Sequence, residues 1–176
     1  MQGLYKDKYR IKSTRLKHFD YSSNGAYFVT ICTKNRECVF GNVINGEMKL
    51  SDRGKIVEQC WDDLPNHYLN CILDTFVIMP NHVHGIIIID NPVEAGFKPA
   101  STNKKHHGLF EIIRAFKTFS SRKINQIQKS FYFRWQRDYY EHVIRNDEEL
   151  NRVREYIINN PVQWELDNEN PKNYKI

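Results

Sequence analysis

The run FVIMPNHVHGIIIID at 76–90 constrains this chain more than any other segment. Two apolar stretches, Phe76 to Met79 and His82 to Asp90, flank Pro80-Asn81, and their β-branched content makes them two buried strands joined by a tight turn. The second carries four consecutive isoleucines with no polar alternation, so it must be covered on both faces and lie centrally in a sheet. His82 and His84 open that strand. Strand side chains repeat with period two, so both imidazoles project from one face while Val83 points to the other. Two nitrogens so placed can share a cation. Hydrogen bonds to backbone or water would also satisfy them, but polar rings at the head of an isoleucine strand need a partner of some kind.

The other elements follow from local pattern. Ala26 to Cys32 (AYFVTIC), after a Ser-Ser-Asn-Gly turn signal, reads as a strand. Glu37 to Val43 and Glu47 to Leu50 flank Asn45-Gly46, which suits a type I′ hairpin turn. Ser51 can cap a helix running to about Leu64 and stopping before Pro65. From 91 to 107 the composition turns to Pro, Gly, Lys, Asn and His without periodicity, which predicts a loop insertion. Leu109, Ile112, Ile113, Phe116, Phe119, Ile124 and Ile127 mark a long amphipathic helix whose polar side carries Arg114, Lys117, Arg122 and Lys123. An irregular strand is expected within 131–144. A last helix starts at Asp147 and ends at Asn160-Pro161. Strands interleaved with helices, but without regular βαβ alternation, predict one α+β domain with a mostly antiparallel sheet flanked by helices.

Charge narrows the class of partner. The 26 basic residues exceed the 21 acidic ones by five, and the first eighteen residues hold that excess: Lys6, Lys8, Arg10, Lys12, Arg15 and Lys17 against Asp7. Such an arm, at 1–20, suits phosphate contacts, as does the basic helix face. From 131 to 140 aromatic residues interleave with Arg134 and Arg137, a composition that suits unpaired bases and their phosphates, although half of those rings must belong to the core. The four cysteines show no CxxC pairing and read as reduced thiols. No apolar run reaches the roughly 20 residues that span a bilayer, and the N-terminus lacks a signal-peptide pattern. A cytoplasmic protein with no membrane contact is expected.

A second candidate site lies in the last helix. Leu150, Val153 and Ile157 form its apolar stripe, with Tyr156 at the stripe's edge and Asn160 one turn on. A hydroxyl and a carboxamide are thereby offered side by side. Alone, such a tyrosine more often packs its ring and leaves its hydroxyl in water.

The combination has a counterpart. The segments AYFVTICTKNRE (26–37), FVIMPNHVHGIII (76–88), IIRAFKTF (112–119) and WQRDYYEHVIRNDEELNRVREYIINNPVQW (135–164) resemble the REP-associated tyrosine transposases, within the single-strand transposases called HUH endonucleases. The resemblance covers nearly the whole chain. It implies a ferredoxin-like sheet in a transposase domain at 21–166, followed by a tail at 167–176. It further implies that His82 and His84 are metal ligands, that Tyr156 is the catalytic nucleophile, and that Asn160 completes the metal site where insertion-sequence relatives usually carry glutamine. Asn160 is one methylene shorter than glutamine, and its place before Pro161 disfavours regular helical geometry, which would turn its amide towards the metal.

The activity implied is metal-dependent cleavage and rejoining of single-stranded DNA through a 5′-phosphotyrosine, with Mg²⁺ or Mn²⁺. The substrate implied is hairpin-forming palindromic repeats, met by a monomer or homodimer. His142, in the YEHVIR segment, is a candidate helper or a structural histidine. Lys12, Arg15, Lys17, Arg114, Lys117, Arg122, Lys123, Arg134 and Arg137 are the expected DNA contacts. Two other readings stay open: a metal-dependent nuclease that uses water in place of tyrosine, and a non-catalytic module that only holds single strands. A replication initiator or relaxase of the same class fits the short chain less well.

Overall fold

The structure is a computed structural model that describes residues 19–91, 107–127, 132–167 and 169–173. The basic arm with Lys12, Arg15 and Lys17, and nearly all of the 91–107 insertion, lie outside the described residues. Four strands form one antiparallel sheet. Strand β1 is Gly25–Cys32, β4 is Cys71–Ile78, β5 is His82–Ile89 and β6 is Tyr140–Ile144, in the order β4-β5-β1-β6. With helix α1 (Asp52–Asp62) between β1 and β4, and helix α3 (Leu109–Ile127) between β5 and β6, the topology is ferredoxin-like. A separate two-stranded ribbon, β2 (Gly41–Ile44) and β3 (Glu47–Leu50), turns at Asn45 and Gly46, whose φ of 53° and 76° are those a type I′ turn demands. A one-turn helix α2 (Leu64–His67) follows α1, and α4 (Asp147–Asn159) closes the regular structure.

β5 is an interior strand, buried at nearly every position. Its odd side chains Val83, Ile87 and Ile89 enter the main core with Trp61, Phe116 and Ile112 from α1 and α3. Its even side chains Ile86 and Ile88 pack with Phe28, Ile144 and Ile157 under α4. Gly85 is required between them. A Cβ there would sit 2.3 Å from the Trp61 ring, and that ring meets Phe116 edge-on with 5.1 Å between centroids.

Boundaries differ from expectation at several points, each for a local reason. The hairpin strand starts at Gly41 and not Glu37, because Lys34–Arg36 form a 3₁₀ turn with Asn35 and Arg36 at positive φ. β4 begins at Cys71 and not Phe76, and its register against β5 shifts between Leu73 and Phe76, an irregularity that hid the start of the strand. Asn160 keeps helical φ and ψ of −58° and −41° despite preceding Pro161, so the expected pre-proline distortion is absent. Beyond α4, Asp167 and Glu169 fold back against the sheet. Among the described residues no helix is long and apolar enough to cross a membrane.

Candidate metal centre and nucleophile

His82 and His84 start β5 on the α4 side of the sheet, with ring centroids 4.4 Å apart and both side chains almost wholly buried. Each ring is held by its δ nitrogen. His82 Nδ1 lies 2.8 Å from Asn81 Oδ1. The Asn81 amide cannot be turned round, since its Nδ2 donates to the carbonyls of Arg36 and Glu169 at 3.0 and 2.7 Å. That fixes a proton on His82 Nδ1 and leaves its Nε2 lone pair free. His84 Nδ1 meets Thr30 Oγ1 at 2.8 Å, so its Nε2 also faces the cleft. Orientation of this kind is what metal-binding histidines receive from their outer neighbours. Burial drives the pKa of both downwards, that of His84 to about 3, so the imidazoles are neutral and able to ligate.

α4 brings the tyrosine to them. Its N-terminus is capped by Asn146, which accepts from the Glu149 amide, and three acidic residues favour its first turn. Arg154 docks the helix on β4 by donating to both oxygens of Asp74 at 2.9 and 2.6 Å. Two residues on, Tyr156 Oη stands 3.3 Å from His84 Nε2, with Phe28 edge-on to its ring at 6.0 Å. Burial first, then the charges of Asp167 and Glu169, raise the phenol's pKa, while a hydrogen bond with Asn160 opposes them. The residue remains 45% exposed, in a cleft of about 410 Å³ that Asn160, Thr30 and Tyr140 also line.

Asp167 is the residue that the sequence did not reveal. A turn at 160–163 and a 3₁₀ turn, Trp164–Leu166, carry it back over the histidines, where its Oδ2 lies 3.9 Å from His82 Nε2. Glu169 pins this segment, receiving Arg36 at 2.9 Å and the Cys32 thiol at 3.3 Å. The ligand atoms of His82, His84 and Asp167 fall within 4.8 Å of one another. His82 Nε2, Asn160 Oδ1 and Asp167 Oδ2 are buried and have no hydrogen-bond partner among the described residues. An orphaned buried polar atom costs about 1–3 kcal/mol, and His82 Nε2 and Asp167 Oδ2, 3.9 Å apart, could be satisfied together by a cation. Two imidazole nitrogens with carboxylate and amide oxygens suit a divalent ion such as Mn²⁺ or Mg²⁺.

The other expected site residues separate into groups. His142 binds Glu149 Oε1 at 2.8 Å at the start of α4 and does not line the cleft, whereas Tyr140 does. Arg114, Lys117, Arg122, Arg134 and Arg137 line a different groove, beside α3. Lys123 does not, because it faces Cys60 and Asp63.

No family model matches the chain. A Haemophilus influenzae protein described as uncharacterized is 43% identical over 167 residues, which is 89% of this chain and 91% of that one. Among solved structures, a REP-associated tyrosine transposase bound to a REP hairpin superposes with a TM-score of 0.60, at 17% identity, over 86% of this chain and 74% of its own. That likeness concerns the fold. The chain therefore has a transposase-like α+β fold, and it belongs to one family with the Haemophilus influenzae protein.

Proposed function

We propose that the protein is a metal-dependent tyrosine nuclease and strand transferase acting on single-stranded DNA that carries a hairpin-forming repeat. The observation that carries the reading is that a half-exposed phenol stands 3.3 Å from His84 Nε2, while the ligand atoms of His82, His84 and Asp167 lie within 4.8 Å of one another. The hairpin substrate is taken from the structural neighbour, which is bound to one.

His82, His84, Asp167 and Asn160 would hold the cation. Once bound, Mg²⁺ or Mn²⁺ supplies positive charge that offsets the charge developing on the scissile phosphate. Tyr156 Oη attacks the phosphorus in line. A bond forms between that oxygen and phosphorus as the bond from phosphorus to the 3′ oxygen breaks, leaving a 5′-phosphotyrosine and a free 3′-hydroxyl. The phenol proton passes from Oη to water in the open part of the cleft, and the departing 3′ oxygen takes a proton from water there to become the hydroxyl. Rejoining reverses the step with another 3′-hydroxyl, and no nucleotide cofactor is needed because the phosphoester bond is conserved. Arg154 and Asp74 hold α4 so that the phenol faces the histidines, and Asn81 holds the His82 ring.

The test uses hairpin DNA labelled at its 3′ end, since the tyrosine keeps the downstream fragment. The expected result with Mn²⁺ is a labelled protein band that survives denaturation and is absent from Tyr156→Phe. Cleavage without such a band would assign the attack to water. Binding that ignores chelator and yields no cleavage would make the protein a carrier of single strands only.

A further inference from the structure

A groove of about 980 Å³ runs between α3 and the extended segment 132–139. Five basic side chains line it, Arg114, Lys117, Arg122, Arg134 and Arg137, against one acid, Asp138. The outer wall is fixed and not merely draped there. Lys117 Nζ donates to the carbonyls of Gln136 and Arg137 at 2.6 and 2.8 Å. Asn125 brackets Phe133, accepting from its amide at 2.6 Å and donating to its carbonyl at 3.0 Å. Trp135 Nε1 donates to Ser120 Oγ at 2.9 Å. With the backbone so held, alternation sends Phe133 and Trp135 into the core and leaves Tyr132 and Arg134 outside.

Tyr132 is 69% exposed, and the Arg134 guanidinium lies over its ring, 4.6 Å from the centroid. An exposed ring in a basic groove has a use only if its partner offers a flat apolar face. Duplex DNA hides its base faces by stacking, whereas an unpaired strand presents them. At the far end, Tyr139 lines the groove while its neighbour Tyr140, the first residue of the edge strand β6, lines the histidine cleft. The wall thus passes from one face of the sheet to the other within two residues.

We infer that this groove binds an unpaired DNA strand, with Tyr132 stacking on a base and the arginines on phosphates, and leads it round the β6 edge to Tyr156. The inference rests on the DNA-cleaving reading above and adds to it where the strand lies outside the scissile site. The strand is held before and after reaction, so its binding needs neither cation nor nucleophile.

The experiment uses the full chain carrying Tyr156→Phe, in chelator. Fluorescence anisotropy follows a labelled, non-self-complementary DNA of about twelve nucleotides, and then the same DNA as a duplex. Tyr132→Ala should weaken binding of the single strand about tenfold, and Tyr132→Phe, which keeps the ring, should restore it. Replacing Arg122 and Arg134 by Ala should lower the slope of log affinity against log salt by about 1.4. Lys49→Ala, on the ribbon outside the groove, should change neither quantity. Unchanged binding by Tyr132→Ala, or a duplex bound as tightly as the single strand, would overturn the inference. A wild-type protein that binds through Tyr132 yet forms no covalent adduct would remove the cleavage reading and leave the groove standing.

Discussion

Tyr156 Oη lies 3.3 Å from His84 Nε2, although the two residues are 72 positions apart in the chain. With the His84 proton on Nδ1, donated to Thr30 Oγ1, that nitrogen has one lone pair. It can then accept the phenol proton in a hydrogen bond or bind a cation, but not both, so the tyrosine and the metal compete for it.

Removing the competitor should therefore not harm the metal site. Tyr156→Phe is expected to bind Mn²⁺ as tightly as wild type or up to about tenfold more tightly, the worth of one hydrogen bond released. Isothermal titration measures this directly. A marked loss of affinity would mean that the phenol is itself a ligand.

Outer neighbours of the histidines should matter almost as much as the ligands. Asn81→Ala frees the His82 ring and strips two carbonyls of their donor, so it should lower Mn²⁺ affinity about 10–100-fold. Asp167→Asn keeps the shape and removes the charge, and is expected to cost at least tenfold. In wild type, Mn²⁺ at a hundred times its Kd should raise the unfolding free energy by about 2.7 kcal/mol, an increment that EDTA removes. Equal thermal shifts in wild type and Asp167→Asn would exclude Asp167 from the site.

Burial of neutral histidines makes stability depend on pH with a definite sign. His84 has its pKa lowered to about 3 in the fold, against 6.5 ordinarily, so below pH 6.5 the unfolded chain takes up a proton that the folded chain refuses. Metal-free protein should hold constant stability above about pH 6.5 and lose it as pH falls towards 3, by up to about 1.4 kcal/mol per unit for each such histidine. His82, lowered in the same direction, adds to the slope. Urea titrations at pH 7 and pH 5 read the difference. A flat profile in that interval would contradict the burial of these rings.

The clamp on α4 titrates at lower pH. Asp74 has its pKa lowered to about 2, first by the Arg154 guanidinium, so its contribution is complete above about 4 and is lost as pH falls through 2. At neutral pH, Asp74→Asn should destabilise the protein by about 1 kcal/mol and speed hydrogen exchange in α4. Exchange in α4 identical to wild type would show that other packing alone holds the helix.

Much of this was readable from the chain. The isoleucine run fixed β5 as an interior strand, because no residue in it can face water at low cost. The two-residue period put both imidazoles on one side, and the four-residue helical spacing put Tyr156 next to Asn160. These are short-range rules, and they hold wherever the local hydrogen-bond pattern is regular.

Only the tertiary structure decided which elements meet. Asp167 reaches His82 through a turn and a 3₁₀ segment whose course is set by Arg36, Cys32 and Asn81, residues more than 80 positions earlier. His142 and Lys123 had the right chemistry but are drawn to Glu149 and to the Cys60–Asp63 side of α1. Among the rings of 132–140, Phe133 and Trp135 went to the core and Tyr132 and Tyr140 to the surface because Asn125, Ser120 and Lys117 fix the phase of that segment. Periodicity states which side chains share a face. Which face is buried, and against what, depends on contacts between distant segments that no local pattern encodes.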